Sequence, residues 1–493
     1  MTTPPRLARE LGLLALAATG ICSMVGASIN IVPIMLQRNV PGIGPWVLPA
    51  FAFAAVPALL AALAYATLAS AMPRAGGSYL YASRALSPWM GFVASFSQWF
   101  GLSIAIGVVS YVIPPFLRDV AVALAWPGVA DALGEGRVRL PLALGILWTF
   151  VAVNLRGLGA YQRTLIPLMF LMFALGAIVI VAGFGSSHEA FGAALLAREG
   201  RTLGAAPDAP FDLRIFLSAA AVLFSSFIGF DAIAQAGGEA KHPERDLPRA
   251  IGLAMVVVGA FYFLFAGAVY HTVPWWFIAS EAASKDVTAP GLLGYILDPR
   301  LTVLIVAGAA VALINDLPAM LLSVSRLMFA WAADGVFPAA VARVHPVRHT
   351  PNTAIVLSGL MATVGILGSH LAGDFFLGVD LLVISMLVNF LLMCVSVLAL
   401  PRTNPVLAAG MRVLRSPSLR AALAGLGALV LLLFLTVHVW KDLNSDVSAW
   451  YFRSTPVWLI VMAAGTLIYL REIASLRRAG VDLRERFSTL PPD

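Results

Sequence analysis

Charge is what this sequence lacks most. Only 12% of its 493 residues are Asp, Glu, Lys or Arg, about half the share of a soluble globular domain. Such a chain cannot cover its surface with groups that water solvates, which excludes a soluble enzyme and a disordered chain. Cysteine is almost missing. Cys22 and Cys394 both lie inside apolar runs, so no disulfide framework and no paired-cysteine metal site can be built. Histidine is sparse, and Pro346 between His345 and His349 spoils a helical metal pair. No metal or other cofactor is expected.

What is abundant is apolar: 60% of the residues are hydrophobic and the mean hydropathy is +0.90. A membrane-spanning helix needs about 20 such residues. Stretches free of Asp, Glu, Lys and Arg cover 11–37, 39–73, 85–117, 140–155, 164–188, 215–230, 250–280, 301–315, 350–373, 381–401, 421–440 and 454–470. The sixth runs on through Asp231 to about Gly238, and the eighth through Asp316 to about Trp331. None alternates in polarity as barrel strands do. The expectation is an all-α membrane protein of about 12 transmembrane helices, a single domain over 1–490. Arg6 and Arg9 precede the first run as in a signal peptide, but the run reaches Gln37, too long for one.

Twelve spans put both ends on one side. Arg and Lys then number 21 on the side of the termini and 11 on the other, against nine and fourteen acids. Basic loops stay inside, so both termini are expected in the cytoplasm and the protein in the inner membrane. The net charge of +7 thereby reports topology, not a nucleic-acid partner. Residues 72–84 are too polar to span and too aromatic for a free linker. Trp275 and Trp276 beside Pro274 suit an interfacial helix within 271–298, and 472–493 reads as a cytoplasmic tail.

Two spans have unusual centres. The first gathers Gly20, Cys22, Ser23, Gly26, Ala27 and Ser28, followed by Asn30; the sixth places Gly229 mid-span with Asp231 behind it. Small residues also serve close helix packing. As a pair, about 200 residues apart, they say more. Each opens a five-helix block, about 11–188 and about 213–401, leaving two extra helices at about 420–471. Glycine-interrupted helices at matching positions of two halves mark an inverted repeat. A helix broken at mid-membrane frees N–H and C=O groups that lipid cannot satisfy. The former suit a carboxylate and the latter an ammonium, so two breaks side by side suit a zwitterion such as an α-amino acid.

Four segments carry a family likeness. They are Val25-Gly26-Ala27-Ser28-Ile29; Pro73 to Tyr81 with Gly91, Phe92 and Trp99; Phe227 to Asp231 continuing through Gly238 to Ile251; and Ser325 to Pro338. In this order the chain resembles the amino acid–polyamine–organocation superfamily of permeases over its first ten spans. The resemblance implies a five-plus-five inverted repeat with helices one and six broken. It implies that a substrate carboxylate meets the N–H groups of Gly26, Ala27 and Ser28. The amino group would meet carbonyls near Ile21, Cys22, Phe227 and Ile228, around Gly229, with Phe227 and Phe230 as wall or gate. Ser28 departs from the signature, which has a second glycine there. Some relatives use a lysine in helix five for proton coupling; the position is about Met172, and 164–188 holds no lysine.

Asp231 is then a cap or gate, a proton carrier or a substrate contact. Asp316, helped by Asn315 and Ser323 near Pro318, is expected to hold a cation or proton, against the plainer reading of an interhelical hydrogen bond. Ser23 and Cys22 line a pocket or simply pack closely. Trp99 and Trp331 read as packing aromatics. Lys241 to Arg249 is a positive-inside stop whose acids, with Glu239, suit an inner gate. The expected activity is transport of an amino acid or close amine by alternating access, coupled to H+ or Na+, as monomer or homodimer. Exchange and polyamine or organic-cation carriage are the alternatives. A membrane enzyme or sensor is disfavoured, because neither a catalytic constellation nor a signalling domain is seen.

Overall fold

The computed structural model describes residues 7–372, 376–447 and 449–491. Among these the named elements are all helical, and the one strand-like feature is an isolated parallel bridge between Leu11 and Ala240. Eleven helices are long and apolar enough to cross a membrane. Helices are the natural outcome, since in lipid every backbone N–H and C=O must be satisfied within the segment.

These eleven correspond to the second to twelfth expected spans, and several overrun them at one end. Pro88–Ala123 continues past Arg118 and Asp119, and Pro243–Thr272 starts within the basic run after Lys241. Charged side chains at helix ends reach water while the helix goes on. The first expected span differs. Residues 11–37 divide into Leu13–Met24, Ala27–Asn30 and Val32–Asn39. The longest piece has 12 residues, about 18 Å at helical rise against a hydrocarbon core of about 30 Å. Among the described residues there are thus eleven long apolar stretches and one made of three short helices.

The sixth expected span is also irregular. Leu213–Leu223 gives way to a 3-10 turn over Phe224–Phe227, then Ile228 and Gly229 leave helical geometry before Ala232–Gln235 resumes. Gly77–Ala85 forms a buried helix within the 72–84 loop, and Trp275–Ser284 a short helix in the outer connection. Pro127–Gly134 and His188–Glu199 are helices that the polar connections concealed.

Burial sorts the bundle into centre and rim. Across its apolar window Pro88–Ala123 is 89% buried and Pro299–Ala333 is 72% buried, whereas Ser454–Arg478 is only 22% buried. The first two therefore run through the middle, and the last presents Leu459, Leu467 and Leu470 outward as a lipid face does. The interrupted segments pack against Pro299–Ala333.

Candidate functional site

The helix Leu13–Met24 ends because Val25 turns extended (φ −90°, ψ 96°), its N–H still reaching the Ile21 carbonyl at 2.9 Å. In the other interrupted segment Ile228 is extended (φ −78°, ψ 133°) and Gly229 has φ +137°, a conformation open to glycine and strained for any other residue. The two segments cross here. A Cβ on Gly229 would run into the Ser23 carbonyl, so backbone lies against backbone. Beside the crossing, Ser226 Oγ donates to the Ser28 carbonyl at 3.3 Å.

Side chains hold the first break open. The hydroxyls of Ser28 and Tyr262 both reach the Met24 carbonyl and lie 2.8 Å from each other. Asn30 Nδ2 donates to the Gly26 carbonyl at 3.0 Å. The hydroxyl that Ser28 carries in place of the signature glycine is thus part of the brace.

Asp231 holds the second break. Its carboxylate accepts the Gly229 N–H at 3.1 Å and the Gln98 side-chain amide. Gln98 Oε1 in turn accepts the Ser78 hydroxyl and Gln235 Nε2, the latter at 3.2 Å. Ser78 stands 2.6 Å from the Tyr65 hydroxyl, which accepts Asn389 Nδ2 at 2.7 Å. All six residues are buried, so one polar network ties the second break to four other elements.

Asp316 is placed differently. It is buried, its Oδ1 has no hydrogen-bond partner, and its other oxygen lies against Gly26, where a Cβ would collide with it. The neighbouring Asn315 donates to Cys22 Sγ at 3.0 Å. Ser23 Oγ, Asn315 Oδ1 and Ser323 Oγ are likewise buried without partners.

A cavity of about 70 Å³ opens between these elements. Its polar lining is Ser23, Ser28, Ser225 and Asp316. The remainder is apolar, led by Leu102, Ala105, Val108 and Val109 on Pro88–Ala123 and by Val379 and Leu382 on Phe376–Thr403. The arrangement offers a small, largely apolar chamber with one carboxyl beside interruptions in two helices.

Residues 11–465 match the sequence profile of a family described as amino acid permease. This chain belongs to that family. It is 28% identical over 387 residues to cationic amino acid transporter 4 of Homo sapiens, covering 73% of this chain and 55% of that protein. It is 26% identical over 495 residues to the branched-chain amino acid permease of Bacillus subtilis strain 168, covering 96% and 95%. With the methylthioribose transporter of the same bacterium the identity is 24% over 478 residues, covering 94% and 93%. The chain thus spans about half the length of the human relative and nearly all of the two bacterial ones.

Within this family member, the cavity takes Ser23, Ser28, Ile228 and Asp316 from the residues expected at the site. Gly26 backs Asp316, and Gly229 sits at the crossing. Ile21 and Cys22 lie behind: the Ile21 carbonyl is engaged within its helix, and the Cys22 thiol faces Asn315. Ala27 begins a short helix, and its side chain lies outside the described part. Phe227 packs on Phe51 and Tyr262, and Phe230 on Phe390 and Tyr65, so both rings join aromatic clusters rather than line the cavity. Ser323 is seven residues beyond Asp316 and away from the cavity lining.

Sequence reading missed Tyr262, Gln98, Gln235 and the partners of Glu239. Gln98 carried one signal, a side-chain amide inside a charge-free span. Glu239 pairs with Arg326 at 3.0 Å, and Arg84 pairs with Asp334 at 3.2 Å, all four buried. Beside them the Leu11 N–H donates to the Glu239 carbonyl and the Lys241 N–H to the Leu11 carbonyl, each at 2.9 Å. These pairs and backbone bonds tie this end of the bundle together.

Proposed function

We propose that the chain is a secondary transporter that moves an amino acid or closely related amine across the cytoplasmic membrane by alternating access. The observation that carries this reading is the crossing of the two interrupted segments beside a cavity lined by both. Irregular backbone at membrane depth is tolerated where protein or a ligand satisfies it, and a chamber walled by two breaks gives a ligand access to it. Breaks that open the five-span blocks 11–188 and 213–401 fit an inverted repeat in which one block rocks against the other. The basic excess on the side of the termini makes the ion-paired end cytoplasmic in this reading. A single carboxyl in the cavity disfavours a polycation. Aliphatic walls suit a small apolar side chain, as the name of the branched-chain relative does. Coupling to an H+ or Na+ gradient is the reading we favour over exchange.

The test is uptake by proteoliposomes of a panel of labelled neutral and cationic amino acids and amines, with Na+ and pH gradients imposed separately. We expect accumulation of a small apolar member, driven by one gradient. No uptake and no exchange of any member would sink the proposal.

A further inference from the structure

We infer that Asp316 is the counter-charge for the ammonium group of the ligand, and that the cavity takes small aliphatic amines whether or not they carry a carboxylate. This rests on the transport reading above and names the substrate class of the same site.

The lining argues for it. Among the described residues lining the cavity Asp316 is the one ionisable group; no Lys, Arg or His is there. Asp316 is 6% exposed, and an intramembrane carboxyl without a partner calls for a cation to meet it. Ser23 and Asp316 both line the cavity, and Asp316 Oδ1 and the Ser23 hydroxyl are both buried without a partner. An ammonium has three N–H donors and no acceptor, which matches two waiting oxygens with one donor left for backbone. The other hydroxyls are committed elsewhere: Ser28 to Met24 and Tyr262, and Ser225 to the Val222 carbonyl at 2.7 Å. The second Asp316 oxygen fills the space beside Gly26. A ligand carboxylate at this face of the first break would therefore meet a like charge and no basic side chain. The aliphatic walls receive the rest of the ligand.

Binding to the purified full-length protein in nanodiscs decides it, with four probes: isoamylamine, leucine amide, leucine and isocaproate. Isoamylamine and leucine amide are expected to bind at least about 10-fold more tightly than leucine, and isocaproate not to bind. Asp316→Asn should weaken isoamylamine about 100-fold, since truncating one partner of a buried charge pair has effects of that order. Binding in the absence of Na+ should be unchanged. Leucine binding more tightly than its amide would overturn the inference and leave the transport reading standing. So would isoamylamine binding that survives Asp316→Asn while Na+ dependence is lost, which would make Asp316 an ion site. If none of the four binds and the wider uptake panel is also inert, both proposals fall. The wild-type comparison of amide and acid holds even if the variant misfolds.

Discussion

At the scale of single residues, two buried polar groups do unlike work. Asp231 is spoken for: Gly229 and Gln98 both donate to it, and Gln98 has no second arrangement, because its carbonyl serves Ser78 and Gln235. In Asp231→Asn one donor must face another donor, at Gly229 or at Gln98, whichever way the new amide turns. The expected loss is about 2 kcal/mol, the order for a buried polar group left unmade, read as a lowered midpoint in thermal unfolding of the detergent-purified protein. Tyr262→Phe is milder. It removes one of two hydroxyls on the Met24 carbonyl and leaves Ser28 in place, so about 1 kcal/mol is expected. Its transport should suffer more than its stability, because what loosens is the break itself. Equal losses for both variants would mean that the network does not distinguish cap from brace. The sequence offered a cap as one role of Asp231, but not the partners that fix these effects. Gln98, Ser78 and Asn389 are ordinary polar residues until the fold brings positions 78, 98, 231, 235 and 389 together.

At the scale of elements, the interrupted segments were legible and their neighbours were not. Gly26, Ser28 and Gly229 stand out because small residues recur at matching positions of two spans, which close packing of one helix does not require. Charge-free runs located the other spans, since lipid excludes charge and nothing else in the chain does so as sharply. Phe227 and Phe230 pack on other rings outside the cavity lining, and which way a ring faces is a tertiary property. The crossing itself predicts a hierarchy among glycines. Gly229→Ala must abandon φ +137° and drive a methyl into the Ser23 carbonyl, which is backbone and cannot turn aside. A cost of about 3 kcal/mol or more and loss of transport are expected. Gly26→Ala meets the Asp316 side chain, whose carboxyl can rotate away while its Cβ at 3.2 Å must give slightly, so the fold should survive while ligand affinity falls. Gly259→Ala meets nothing and should be neutral or stabilising within a helix. Expression, thermal midpoint and uptake of the three variants side by side check the order.

At the scale of the whole molecule, the proposed alternating access would require the ion-paired end to open, and the ion pairs would have to part. Arg326–Glu239 joins the Pro299–Ala333 helix to the exit of the sixth segment, and Arg84–Asp334 joins that helix to Gly77–Ala85. The chain's last described residues lie over the second pair: Arg84 Nε donates to the Thr489 carbonyl at 3.0 Å, and its guanidinium stands 5.2 Å from the centre of the Phe487 ring. Breaking a buried pair by removing one charge costs about 3–5 kcal/mol because the other is left uncompensated. In an opened state water reaches that charge, so the penalty falls on the closed state alone. Glu239→Gln should therefore shift the population towards opening at this end by about 10-fold or more. A cysteine at Ala236, buried beneath Glu239, reports it in a chain whose Cys22 and Cys394 are replaced by alanine. Labelling by a membrane-impermeant maleimide from the cytoplasmic side should accelerate in Glu239→Gln and return towards the parent rate in the charge-swapped double variant Glu239→Arg with Arg326→Glu. If all three label at one rate, the pair fastens the fold without gating it, and closure of this end must rest on Arg84, Asp334 and the segment over them.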